Sequence, residues 1–554
     1  MSQSLSKQLA LSLKDKSTLI KPETGHLPVY IIPQQEQKID EKGCKKFSFG
    51  KESQPGIRNR TIMVLGATGA GKTTLINGMI NYILAVEWDD PYRFKLVDED
   101  QSRSQAESQT SEVTVYEINH QEGFKIPCSL TIVDTPGFGD TGGIKRDKEI
   151  TEQLRSLFSA EHGVSDIDAV CFVAQAALAR LTASQKYVFD SVLSIFGKDV
   201  EENIQVLVTF SDGQPPPVLE AIKASGLPCP KTKNGLPVHF KFNNSALFAQ
   251  NQSSAAAADS SAAADSSAAS DSSGEEEDEE FDELFWEMGA KSMKKFFVGL
   301  DKMKTKSLTM TKEVLGERKQ LEISIENVQK QVKVGLAQLE EIKKTTETLK
   351  LHEAEISRNE KFEFEVVVIK PFQENISGTG GFLTNCQVCN FTCHRACAYA
   401  NDADKIKCSA MGPDGNCTQC PGKCDWRQHF NQKYRWEYRE VKEKQTVQDQ
   451  KEKYLKASEA KGTVQELIHN MNVEYQRVRT EVGEMMKRSA ECLNRLGEIA
   501  LKSNPLSTPE YIDLLIEGEK SEAKLGWMER VQHLMEVRKQ AELMAKVGKG
   551  ETLL

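Results

Sequence analysis

The feature that most constrains this chain is the run Gly66-Ala67-Thr68-Gly69-Ala70-Gly71-Lys72-Thr73, set between the β-branched apolar stretch TIMVL (61–65) and the helix-forming stretch TTLINGMINYIL (73–84). A GxxxxGK[ST] loop that ends a strand and opens a helix aims successive backbone N–H groups at one anion, and the helix N-terminus adds its positive dipole end. Gly66, Gly69, Ala70 and Gly71, continued by Lys72, Thr73 and Thr74, are therefore the candidate phosphate cradle. Lys72 supplies a point charge to the β- and γ-oxygens, and the Thr73 hydroxyl is a candidate Mg²⁺ ligand. A chance glycine-rich turn is the competing reading, and the fit of both flanking elements weighs against it.

Three further apolar runs, SLTIVD (129–134), DAVCFVAQ (168–175) and NIQVLVTF (203–210), alternate with helical stretches. This order predicts an α/β unit with a mainly parallel sheet. Asp134-Thr135-Pro136-Gly137 closes the first of these runs. There Asp134 is placed to hold the magnesium through water, and the Gly137 N–H to sense the γ-phosphate. Between the two motifs, SQTSEVTVYEI (108–118) offers Thr110 or Thr114 as the hydroxyl that covers the metal, with Thr110 preferred. After the strand VLV, Asp212 is the candidate base reader, because one carboxylate can accept from both the N1–H and N2–H₂ donors of guanine. The bland alternative for Asp212 is a cap on the next turn. Phe138, next after Gly137, cannot polarise water, which predicts slow intrinsic turnover.

The order GATGAGKTT, SQTSEV, DTPGFGDT, then Thr209 to Asp212 and Phe242-Asn243-Asn244, resembles the septin-like branch of GTPases, above all the GIMAP-type immunity-associated GTPases, over about residues 60–250. The resemblance implies a P-loop NTPase fold of Ras-like G-domain type and a GTP/GDP switch that binds Mg²⁺ and self-assembles across its nucleotide faces. It also implies base-side roles for Thr209, Asn243 and Asn244, while Lys72, Thr110 and Gly137, read from the motifs above, form the candidate catalytic set. The chain departs from the family pattern in carrying Ser211 where a basic residue is usual before the base-reading Asp, and Thr209 in place of Asn.

A length of 554 residues exceeds what one core organises. The expected division is a polar leader (1–57), a G domain (58–250), an acidic linker (251–283), a helical arm (284–360), a zinc-binding insert with flanking strands (361–440), and a return arm with C-terminal helices (441–554). The linker holds eleven acidic and no basic side chains, so the remainder of a chain of net charge −10 stands at +1. That balance gives no electrostatic case for nucleic acid. No apolar run is long enough to cross a bilayer, which makes the cytoplasm the expected location.

Heptad positions Leu321, Ile325, Val328, Val332, Gly335, Leu339, Ile342, Thr346 and Leu349 are mostly apolar, as are those from Val464 to Ile499. They predict two coiled-coil arms, with an ordinary amphipathic bundle as the alternative. Homo-oligomerisation is expected through these arms and, as the resemblance implies, through the G domain, where a partner subunit would supply the missing catalytic group. Lone histidines such as His352 and His469 on these stretches read as surface residues.

Between the arms lie Cys386, Cys389, Cys393, His394, Cys397, Cys408, Cys417, Cys420, Cys424 and His429. Ten soft donors at CxxC-like spacings predict about two structural Zn²⁺ ions rather than disulfides. The simplest arrangement is a helical hairpin with a metal-bound tip. The donor order is not that of a RING finger, so a ubiquitin-ligase reading lacks its motif. The main rival to a switch is a scaffold whose G domain binds nucleotide without useful turnover.

Overall fold

The computed structural model describes the chain apart from Met1 and residues 21–26, 40–42, 52–55, 99–109, 140–142, 180–181, 250, 252–272, 357–361, 378–381, 456–462, 503–508, 523–526 and 549–554. It divides into two compact units. The first comprises Met1–Leu315, Ile499–Pro505 and Asp513–Leu534, and the second Gly316–Glu498, Leu506–Ile512 and Met535–Leu554.

The first unit is built on an eight-stranded sheet. Its strands lie in the spatial order His239–Lys241, Ile204–Thr209, Ala169–Gln175, Asn59–Gly66, Ser129–Asp134, Val113–Ile118, Cys44–Phe49 and Gln35–Gln37. Pairing is parallel except between Val113–Ile118 and Ser129–Asp134 and between the last two strands. The central strands are buried along almost their whole length, which is why they read as continuous apolar runs rather than alternating ones. Ile62 and Val64, with Leu75, Ile76, Met79 and Ile80 of the helix Lys72–Ile83, form the core beneath the loop they share.

Three expectations are corrected here. The segment 1–57 is not a loose leader. It supplies the helix Ser2–Lys14 and the two outer strands of the sheet, and Ala10, Leu13, Ile32 and Phe49 join the core. The polar strand Gln35–Gln37 carries no apolar alternation because it is an exposed edge. The acidic stretch is helical from Ser273, since Ser273–Lys302 is one helix, and carboxylates beside a helix N-terminus are favourable partners of its dipole. The part of the expected linker at 252–272 lies outside the described residues. That helix belongs to the G unit rather than to a separate arm, because Met293, Phe296, Phe297 and Leu300 bury into the same core.

In the second unit, the helices Thr309–Leu351 (most of which belongs here) and Val464–Ile499 run antiparallel. Ile342 and Leu349 of the first share a core with Leu467 and Met471 of the second. Several seam side chains, among them Ile325, Val328, Val332, Leu339 and Val482, lie outside the described side chains. The strand Glu363–Asn375 pairs antiparallel with Tyr434–Thr446 over its full length, from Glu363 opposite Thr446 to Asn375 opposite Tyr434. Phe364, Val366 and Val368 alternate onto the apolar face of this ribbon and pack beside Leu349, while Lys330 Nζ meets Glu437 Oε1 at 3.0 Å farther along. The ribbon therefore lies back along the first helix, and the Cys/His module rests against the side of that helix, not at a hairpin tip. Asn327 Nδ2 donates to the Cys393 and Gln419 oxygens at 2.9 Å, and Gln331 Nε2 to Gln419 O at 2.9 Å. The physical reason is the apolar face of the ribbon, which needs a helix to cover it.

Candidate functional site

Gly69 and Gly71 adopt left-handed backbone at φ 76° and 78°, which curls the loop 66–73 and delivers the chain into the helix at Lys72. The buried Lys72 folds its Nζ back over the loop, 3.1 Å from Ala67 O and 3.3 Å from Gly66 O. Gln175, at the end of its strand, ties the loop with Nε2 to Gly69 O at 2.8 Å, and Thr209 Oγ1 donates to Ala70 O at 2.8 Å.

The second motif docks onto the first. Thr68 N donates to Phe138 O and Phe138 N to Gly66 O, both at 3.1 Å. A Cβ at Gly137 would stand 2.5 Å from Thr68 Cα and 2.6 Å from Thr68 N, so only glycine lets these two backbones meet. Asp134 is fully buried below this junction, and Thr135 Oγ1 donates to Val64 O at 2.9 Å. Tyr116 is buried next to them, and burial, reinforced by the Asp134 charge, pushes its phenol well above the usual range. The side chain of Phe138 is buried in the protein and offers the site nothing polar.

Thr73 and Thr110 line one cleft of 620 Å³ together with Asp98, Thr114 and Tyr116. Thr114 itself is a buried strand residue whose hydroxyl donates to Glu112 O at 3.3 Å. Ser108 and Gln109, like Asp140 and Thr141 of the second motif, lie outside the described residues.

On the base side, Asp212 is exposed, and its Oδ1 accepts from Gln214 N at 3.0 Å, an Asx turn that leaves the carboxylate facing outward. Lys241 Nζ donates to Gly213 O at 2.5 Å. Asn243 uses its Oδ1 to cap its own turn, accepting from Ser245 N and Oγ. Asn244 lines a second cleft with Trp88 and Trp286, and its Oδ1 is directed at Gly78 of the helix.

Sequence reasoning missed Thr68, Gln175 and Phe210. Phe210 has φ 53°, is 56% exposed, and sets its ring beside Gly71. The signal available for Gln175 and Phe210 was position, since both stand at the carboxyl ends of parallel strands, where α/β folds place their ligands.

The ten Cys/His donors converge into three groups: Cys386, Cys389, Cys420 and Cys424; Cys393, Cys417, Cys420 and His429; and His394, Cys397 and Cys408. All eight cysteines are free thiols, and most of this module's core consists of them. Contacts with Cys386 and Cys393 lower the Cys420 thiol to about 5. His429, which burial alone would pull down, is raised to about 12 by Cys386, Cys417 and Cys420. Both shifts come from donors crowded against one another in a pocket with little water.

Residues 57–164 match the septin family model. The chain thus carries a septin-like P-loop GTPase domain, and the Cys/His module lies outside the matched residues. Among solved structures it is similar to Toc33 from Arabidopsis thaliana. With Toc33 in complex with GDP and Mg²⁺ the identity is 17%, over 34% of this chain and 72% of that one, at a TM-score of 0.24. With Toc33 in complex with Mg²⁺ and GMPPNP it is 16%, over 42% and 86%, at 0.25. No curated protein matches the chain. Among the described residues, no helix is long and apolar enough to cross a membrane.

Proposed function

We propose that this protein is a guanine-nucleotide switch that hydrolyses GTP to GDP slowly alone and faster when assembled. The observation that carries the reading is the backbone junction between Thr68 and Gly137–Phe138, which couples the phosphate loop to the segment that would report the third phosphate. Backbone N–H groups of residues 69–74 and the Lys72 ammonium would hold the phosphates; Thr73, Thr110 and Asp134 would hold Mg²⁺, directly or through water. Bound Mg²⁺ would neutralise charge building on the transferred phosphoryl group. The buried Phe138 leaves the water-orienting role to another subunit, in keeping with the septin-like match. In the second unit, the two long helices act as an antiparallel coiled-coil stalk, and zinc at the ten donors pins the module beside it. A scaffold without useful turnover is the competing reading, and single-turnover with steady-state phosphate release on purified protein separates the two.

Lys72→Ala removes the charge over the loop and Thr73→Ala a metal ligand. Each is expected to weaken magnesium–nucleotide binding by at least about tenfold, on the order of 1.4 kcal/mol. Unchanged affinity of both variants in a fluorescent-nucleotide titration would refute the assignment. For the base, Asp212→Asn replaces an acceptor oxygen with a donor and is expected to move preference from GTP towards xanthosine triphosphate. ATP competing equally with GTP for the unaltered protein would show that Asp212 does not read the base.

A further inference from the structure

We infer that the ten donors bind three zinc ions, two of them bridged by the Cys420 thiolate and the third held apart by His394, Cys397 and Cys408. The inference rests on the zinc reading above and adds a stoichiometry and a connectivity to it.

The donor count is the first argument. Cys420 belongs to two of the three groups, and in each group the ligand atoms lie within 4.8 Å of one another. Those two groups contain seven donors between them. Seven cannot surround one tetrahedral ion, and two separate tetrahedral ions would need eight. Sharing Cys420 resolves this, because each ion then has three donors of its own and one in common. A sulfur about 2.3 Å from each of two ions sets them roughly 3.5–4 Å apart, an ordinary spacing for a two-metal site.

The local geometry fits. Four thiolates around one zinc stand about 3.8 Å from each other, and Cys389 Sγ lies 3.6 Å from Cys424 Sγ. A Cβ on Gly422 would reach within 3.0 Å of the first sulfur and 3.1 Å of the second, so the backbone wraps this pair closely. Six thiolates against two dications leave a formal charge of −2, and backbone N–H groups point at the sulfurs to offset it. Cys389 N lies 3.4 Å from Cys386 Sγ, Gly422 N 3.3 Å from Cys389 Sγ, Cys420 N 3.4 Å from Cys417 Sγ, and Cys424 N 3.3 Å from Cys420 Sγ. His429 Nδ1 donates to Asp425 O at 3.0 Å, which fixes the tautomer whose Nε2 carries the lone pair. That Nε2 is buried with no hydrogen-bond partner among the described residues.

The third ion follows from the strand Phe391–Cys397. Successive side chains of a regular strand face opposite sides, which parts the neighbours Cys393 and His394. The irregularity between His394, opposite Thr384, and Cys397, opposite Phe382, lets Cys397 join the side of His394. Cys393 turns to the bridged pair. His394 turns to Cys408, with Nδ1 3.3 Å from its sulfur, close to the separation expected of a nitrogen and a sulfur on one zinc. Two thiolates and a neutral imidazole balance one dication. Thr384 Oγ1, fully buried and 3.3 Å from Cys408 Sγ, is placed to complete the tetrahedron directly or through a water. Lys405, also fully buried, donates to Leu383 O and Tyr399 O and stands 3.7 Å from Cys397 Sγ, walling the site off.

The test uses the full-length protein, purified without chelator, with zinc measured against protein by elemental analysis and the zinc environment by X-ray absorption. About three zinc ions per chain and a zinc–zinc scattering vector near 3.5–4 Å are expected. Replacing Cys397 and Cys408 together by serine is expected to lower the content by about one while the zinc–zinc vector persists. Two ions with no such vector would overturn the inference and leave the zinc reading standing. Three ions with no vector would overturn the shared thiolate. A zinc content near zero would overturn the zinc reading itself. The unsubstituted protein decides among these outcomes, whether or not the double variant folds.

Discussion

Asp168→Ala is expected to destabilise the G unit by about 3–5 kcal/mol, the cost of leaving a buried charge without its counter-ion. Arg60 and Asp168 are 5% and 1% exposed, and their ion pair measures 2.6 Å. The carboxylate also accepts from Thr61 N at 2.7 Å and Thr305 Oγ1 at 2.8 Å, while Arg60 donates to Met303 O at 2.9 Å. One cluster thus joins the start of the loop-bearing strand, the start of its neighbour and the segment after the helix Ser273–Lys302. Removing the acid strands the guanidinium, whereas an apolar pair of similar volume, Arg60→Met with Asp168→Leu, is expected to recover most of the loss. Hydrogen exchange of the strands Asn59–Gly66 and Ala169–Gln175 reports on this unit alone. A loss under about 1 kcal/mol, the range of a surface pair, would show that the cluster is not a structural tie.

Gly137→Ala is expected to cost nucleotide binding more than stability. The new methyl group would meet backbone atoms of Thr68, which cannot rotate away as a side chain can. One of the two loops must move. Overpacking of this kind costs on the order of 1–3 kcal/mol, which corresponds to roughly a five- to hundredfold loss in affinity if the loop 66–73 yields. GTP is expected to suffer more than GDP, because Gly137 is on the side that would report the third phosphate. Titration of both nucleotides against both proteins measures the difference. Equal weakening of the two would remove Gly137 from γ-phosphate sensing while leaving the steric argument intact.

These sites were legible in the primary structure to unequal degrees. The loop 66–73 and the turn 134–137 announce themselves because their backbone geometry demands glycine at fixed spacings, and the phosphate and magnesium chemistry proposed for them calls for Lys72, Thr73 and Asp134 beside it. Buried parallel strands are equally plain, since a strand covered on both faces is apolar throughout. Asp212 is less so, because an exposed carboxylate that caps a turn and one that reads a base have the same sequence signature.

What the chain's order of residues determined by itself is the local chemistry: a strand–loop–helix of the kind that can cradle an anion, two helix-forming stretches with apolar seams, and ten Cys and His donors in a short span. Tertiary structure alone decided which distant pieces meet. The strands Gln35–Gln37 and Cys44–Phe49 join the sheet from a stretch too polar and too short to declare itself. The helix Ser273–Lys302 packs into the G-unit core, and the ribbon Glu363–Asn375 with Tyr434–Thr446 folds back along a helix instead of extending it. Spacing likewise could not pair the cysteines. Cys420 joins Cys386 and Cys389 on one side and Cys393 and His429 on the other, and Cys393 parts from His394, only because strands and turns bring donors from both ends of the module around common points. A periodic or spaced motif records what a segment needs from its own backbone. Partners far along the chain are chosen by the apolar faces and donor lone pairs left unsatisfied once the segments have formed.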